Sequence, residues 1–169
     1  MRRLYSLLLA GTLCLGLSAC PFVDRLPPLP QYKPVLMPRS QLEQAVAVLP
    51  PREMRNTGKI YLRDPYIFIN ERYEGFHVID NQNPAQPQPL AFVRIPGNVD
   101  VAMKGSLLYA DSGADLLTFD VSNVQQVRLL HRVRNAVPEL PMPELGQVPA
   151  EYQPQNRPAD AVVVGWQKL

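Results

Sequence analysis

The feature that most constrains this chain is a duplication: across residues 58–134 one pattern of short apolar runs occurs twice, about 40 residues apart, the spacing of blade and solenoid repeats. Tyr66-Ile67-Phe68-Ile69-Asn70 aligns with Ser106-Leu107-Leu108-Tyr109-Ala110, and Gly75-Phe76-His77-Val78-Ile79-Asp80 aligns with Asp115-Leu116-Leu117-Thr118-Phe119-Asp120. In the first copy the β-branched and aromatic runs are 60–62, 66–69, 76–79 and 90–95, separated by turn signals at Arg63-Asp64-Pro65, Glu74-Gly75 and 81–89. After Pro96-Gly97-Asn98 the second copy offers 99–103, 107–110, 116–119 and 127–133. Each copy therefore supplies about four strands, which is the content of one propeller blade.

Proline marks where the repeat stops. Most of the 19 prolines lie outside it, at Pro27-Pro28, Pro30, Pro34, Pro38, Pro50-Pro51 and from Pro138 to Pro158, and such flanks read as extended segments. Residues 20–39 are expected to be a proline-rich tether, 40–57 a short helix and linker, 58–134 the two β-repeats, and 135–169 a proline-rich segment with a terminal strand at 161–166. Ser40-Gln41-Leu42-Glu43 has the pattern of a capping box and predicts a helix running to about Val48, with Leu42, Val46 and Leu49 on one side and Pro50-Pro51 as its stop. The terminal strand needs a neighbour, and a blade edge is the expected one.

The N-terminus reads as a targeting segment. Met1-Arg2-Arg3 is basic, and 4–17 is apolar but short for a membrane span and interrupted by Gly11 and Gly16. It ends in Leu17-Ser18-Ala19-Cys20, which resembles the lipobox of bacterial lipoproteins. That resemblance implies removal of residues 1–19 as a signal peptide, a diacylglyceryl group on Cys20, and attachment in the bacterial cell envelope, at the outer membrane. Two or more acyl chains would anchor the protein stably, since each buried methylene contributes about 0.8 kcal/mol. Cys14 would leave with the signal peptide, so the mature chain would hold no disulfide. The formal charge of +2 includes Arg2 and Arg3, so the mature chain is near neutral, with scattered basic residues and no footprint for nucleic acid.

The stretch from His77-Val78-Ile79-Asp80-Asn81-Gln82-Asn83-Pro84 and, less fully, Leu117-Thr118-Phe119-Asp120-Val121-Ser122-Asn123 resembles the LVIVD repeat, in which a hydrophobic strand ends in Asp before a Ser/Asn-Pro turn and a returning strand. The second copy departs from it, with Val124 where the first has Pro84. The resemblance implies a bacterial surface or periplasmic protein built of β-propeller blades. Propellers use about four to eight blades, and two are present, so the chain is expected to be mainly β as a partial propeller. Either it belongs to a longer propeller with no independent activity, or copies self-associate, or the two units form a small open sheet covered by the helix and flanks.

Candidate chemistry is sparse. Asp80 and Asp120 recur one repeat apart, which suits Asx turns after each strand better than an axial carboxylate cluster. Asp111 and Asp115 in Asp111-Ser112-Gly113-Ala114-Asp115 are the best candidates for a cation loop, but the loop lacks further oxygen ligands and reads first as a hairpin turn. His77 and His131, the only histidines, sit at different points of the repeat; alternation places His77 on the face opposite Phe76 and Val78. No G-x-S-x-G, P-loop, H-E-x-x-H or dinucleotide motif occurs, so no catalytic residue and no cofactor is assigned. Tyr61, Tyr66, Tyr73, Tyr109, Tyr152 and Trp166 could form an amphipathic surface; Tyr66 and Tyr109 suit the core, and Tyr73, in a turn, is the one expected to be exposed. The expectation is a non-catalytic binding or scaffolding module, held to the membrane by Cys20, with an envelope protein, a glycan or another copy as partner. The alternative is a propeller-type hydrolase with a metal-dependent site.

Overall fold

A computed structural model describes residues 32–143 and 148–169; the expected signal peptide at 1–19 and the expected lipidation site Cys20 lie outside the described residues. The described chain is mainly β, in three sheets of antiparallel strands, none of them closed. The first sheet runs β2 (Ala47–Leu49), β6 (Gln88–Arg94), β5 (Gly75–Asp80), β4 (Tyr66–Glu71), β3 (Thr57–Arg63). The second runs β10 (Arg128–Val133), β9 (Asp115–Asp120), β8 (Leu107–Ser112), β7 (Val101–Lys104). The third is a ribbon of β1 (Tyr32–Pro38) and β11 (Ala161–Lys168).

The duplication holds down to single hydrogen bonds. Asp80 accepts from the Gln82 N–H at 2.8 Å and Asp120 from the Ser122 N–H at 2.9 Å, closing matched Asx turns. Asn83 accepts from Ala85 N–H as Asn123 accepts from Gln125 N–H, so the second turn closes with Val124 in place of Pro84. Both returning strands then bulge at the same place, leaving Leu90 and Leu130 as the extra residue.

Register corrects the sequence alignment by one residue in the second strand. Asp80 pairs with Tyr66 and Asp120 with Leu107, so Tyr66 matches Leu107 rather than Ser106. The first hairpin turns through Arg72, Tyr73 and Glu74 and the second through only Gly113 and Ala114, and a one-residue offset exchanges the faces of a strand.

Each meander has two faces. The front of the first sheet carries Phe68, Phe76, Val78, Ala91 and Val93, and it packs on the back of the second, which carries Val101, Leu108, Ala110, Leu117 and Phe119. Phe76 is the pivot, tilted against Phe68 with ring centroids 6.2 Å apart and edge-on to Phe119 at 5.9 Å. The ribbon closes the hairpin end of both sheets: Gly97 has a φ of +77°, and a Cβ there would lie 2.5 Å from the Gly113 nitrogen and 3.2 Å from the Val164 Cα. Trp166, Leu140 and Val163 form its small core, and the indole N–H donates to the Leu140 carbonyl at 3.1 Å.

Four expectations change. Tyr32–Pro38 is a strand rather than tether, because β1 pairs on one side only and Pro34 and Pro38 can leave the other side without donors. β11 pairs with β1, not with the edge of a repeat. The helix, α1, is confined to Arg39–Gln44 after an N-cap at Pro38, so Ser40 caps nothing, and Glu43 instead pairs with Arg134. Val46 and Leu49 do not share a helix face with Leu42, because Ala47–Leu49 adds to the free edge of β6. Leu42 is buried alone of the three, under Val162 and Val164 of the ribbon.

Phe76→Ala should lower the stability of the unit by about 3–5 kcal/mol, since it empties the contact between the sheets. The urea midpoint checks this. A shift equivalent to less than about 1 kcal/mol would mean the two sheets are not held by that contact.

Candidate functional site

Three polar nodes hold segments onto the sheets. On the back of the first sheet, Glu71 is fully buried and its carboxylate accepts from the backbone N–H groups of Arg55 and Asn56 and lies 2.9 Å from His77 Nε2. Burial would push the Glu71 carboxyl up, but the Asn56 N–H, the His77 ring and the Arg55 N–H outweigh it, and its pKa lies below the ordinary glutamate value. His77, itself buried, stacks at a tilt on Phe92 with centroids 4.8 Å apart, and the Arg52 guanidinium lies over the Phe92 ring at 3.9 Å while pairing with Glu74. Residues 52–56 are thereby fastened across half of that face.

Between the sheets, buried Asn98 donates to the Asp111 side chain at 2.8 Å and accepts from Asn70. Asp111 also accepts from the N–H groups of Val99 (2.7 Å) and Asp100 (3.1 Å). Burial dominates here, and the Asp111 pKa is raised despite those donors.

The third node is Asp115, fully buried between Arg39 of α1 (2.6 Å) and Arg132 of β10 (2.7 Å) and accepting from the Asn135 N–H at 3.1 Å. Burial raises its pKa, the two guanidiniums and the Asn135 N–H lower it further than burial raises it, and the net shift is downward. Asp111 and Asp115 thus sit on opposite faces of one hairpin and turn to different partners: Asp111 to the Asn98 amide and two backbone N–H groups, Asp115 to two guanidiniums and the Asn135 N–H. Among the described residues no group of three or more His, Cys, Asp or Glu is placed to hold a metal ion. Asp80 and Asp120 close their turns, and the Ser122 hydroxyl and N–H, with Arg128 at 2.8 Å, hold the Asp120 pKa down to about 2.

His131 is exposed on the edge strand β10. Tyr73 differs from expectation: in a left-handed conformation (φ +68°), it is half-buried in the cluster of Trp166, under Gly165 of the ribbon. Tyr61 and Tyr66 pack on the core between the sheets, and Tyr109 is half-buried on the open front of the second sheet. There it lines, with Ala102, Leu116, Val137, Asp100 and Asp111, a groove of about 260 Å³.

The open faces are the other candidate surface. On the back of the first sheet, beside the half covered by residues 52–56, Ile60 is 61% and Leu62 77% exposed, with Ile67 and Ile69 half-buried alongside. A run of large apolar side chains this open is uncommon on a surface that meets only water.

Removing Asp115 leaves two guanidiniums facing each other, so Asp115→Ala should cost about 3 kcal/mol. Its pKa is lower folded than unfolded, as is that of Glu71, so each contributes stability above the ordinary carboxyl value that is lost as pH falls through the folded value. The melting temperature should therefore drop on acidification below about pH 4. Asp115→Ala should flatten that drop, and an unchanged acid profile in the variant would contradict the role given to the clamp.

No protein-family model, curated protein or solved structure matches the chain.

Proposed function

We propose that this chain is a lipid-anchored protein of the bacterial cell envelope whose two β-repeats, blades of the LVIVD type, serve as a non-catalytic binding or scaffolding module. The anchor rests on the ordered run of basic residues, apolar segment and Leu17-Ser18-Ala19-Cys20. The blade reading draws support from the matched Asx turns and matched bulges of the two meanders.

The observation that carries the binding role is the exposed pair Ile60 and Leu62 on a sheet face that continues into Ile67 and Ile69. The buried titratable groups point the other way from catalysis: Glu71, His77 and Asp115 are engaged with one another, with guanidiniums or with backbone N–H groups, holding chain segments in place.

Cys20→Ala should move the protein from the membrane to the soluble fraction on cell fractionation; retention in the membrane would contradict the lipoprotein reading. Leu62→Glu should stay in the membrane fraction yet lose the crosslinked species that the unaltered chain forms in intact envelopes. Identical crosslinking patterns for the two, or none for the unaltered chain, would contradict the binding role.

A further inference from the structure

The two sheets bury opposite faces, and the pairing registers make the faces comparable residue by residue. With Asp80 matched to Asp120, Ile67 matches Leu108 and Ile69 matches Ala110; on the first strands Ile60 matches Val101 and Leu62 matches Met103. Val101, Leu108 and Ala110 are each no more than 1% exposed because the front of the first sheet lies on them. Their counterparts Ile60 and Leu62 are 61% and 77% exposed, with none of the described residues packed over them.

The front faces show the converse. Phe68, Phe76 and Val93 are wholly buried on the second sheet, and their counterparts are Tyr109, Leu116 and Val133. Tyr109 and Leu116 are half-buried around the groove and Val133 is 44% exposed. Leu90, packed against the core, likewise corresponds to Leu130 at 52% exposure. The uncovered front of the second sheet and the uncovered strip on the back of the first are therefore the two halves of the contact the chain already makes inside itself.

We infer that copies of this chain stack head to tail, the front of the second sheet of one copy seating on the strip Ile60, Leu62, Ile67 and Ile69 of the next. The inference names the occupant of the surface given a binding role above and rests on that reading; the lipid anchor plays no part in it. Such a contact is heterologous, joining two different patches, and it closes into a ring if the rotation between sheets permits or grows if not. Two repeat sheets per copy, leaving aside the ribbon of β1 and β11, and the usual size of propellers set the closed ring at about two to four copies. The half of the first sheet's back that carries His77 and Phe92 is already covered by residues 52–56, so the seat is confined to the strip along β3 and β4.

Native mass spectrometry of the full chain, released from membranes in mild detergent, tests this. The unaltered chain should appear as a closed oligomer of about two to four copies, or as a ladder of larger assemblies if the ring does not close, whereas Leu62→Glu, which spoils the back strip, and Leu116→Glu, which spoils the front, should each appear as monomer. An equimolar mixture of the two should give a dimer and nothing larger, because one intact front meets one intact back. Circular dichroism melts confirm that both variants fold, and Leu62, being 77% exposed, carries the conclusion if Leu116→Glu does not. A monomeric unaltered chain would overturn the inference, as would an oligomer that survives either substitution or a mixture that stays monomeric. If the unaltered chain is monomeric yet Leu62→Glu still removes its envelope crosslinks, head-to-tail stacking fails while the binding role stands; if those crosslinks are unaffected, both fail.

Discussion

The contact between Phe76 and Phe119 is where the two repeats become one structure. A single four-stranded meander presents two apolar faces and can cover neither, so its strands have nothing to pack on until a second sheet arrives. The edge-on rings at 5.9 Å sit at the centre of that meeting, with Phe68 behind and Leu108, Ala110 and Leu117 beneath. Because the front of one repeat meets the back of the other, the arrangement does not cancel its own apolar surface: it hides one front and one back and leaves one of each in the open. That leftover is what the proposed binding role uses.

The polar nodes serve the same geometry. Glu71 holds residues 52–56 across part of the first sheet's back, and Asp115 ties α1 to β10, so that the flanks cover some of the surface the sheets leave bare. Each carboxylate is buried with donors on several sides, a situation in which losing one partner costs more than forming the pair contributes. The ribbon of β1 and β11 completes the cover at the hairpin end, where Gly97 allows its backbone to come close.

Much of the repeat was legible because turn chemistry is local: Asp80 and Asp120, then Asn83 and Asn123, announce the same turn at the same spacing. The offset between the second strands was not legible, since it depends on a three-residue turn in one copy and a two-residue turn in the other, and it decides which side chains are buried. β1 was hidden because its partner lies more than a hundred residues away and its prolines argue for coil; only a one-sided ladder tolerates them. The end of the helix is not legible, because the apolar spacing of Leu42, Val46 and Leu49 fits one long helix as well as it fits a short helix followed by an edge strand. Glu71 and His77 share a face only through the register of the β4–β5 hairpin, and a sequence that reads 70–75 as the turn does not fix that register. Nothing in the sequence linked Asp115 to Arg39, a contact across the whole fold.

The most direct test of the account is an image of the full chain in detergent by electron cryomicroscopy at a resolution that separates sheets. The image should show a ring, or a run of stacked sheets, in which second sheet and first sheet alternate from copy to copy, with Tyr109 of one copy over Ile67 and Ile69 of the next. Single copies, or copies joined first sheet to first sheet, would contradict it.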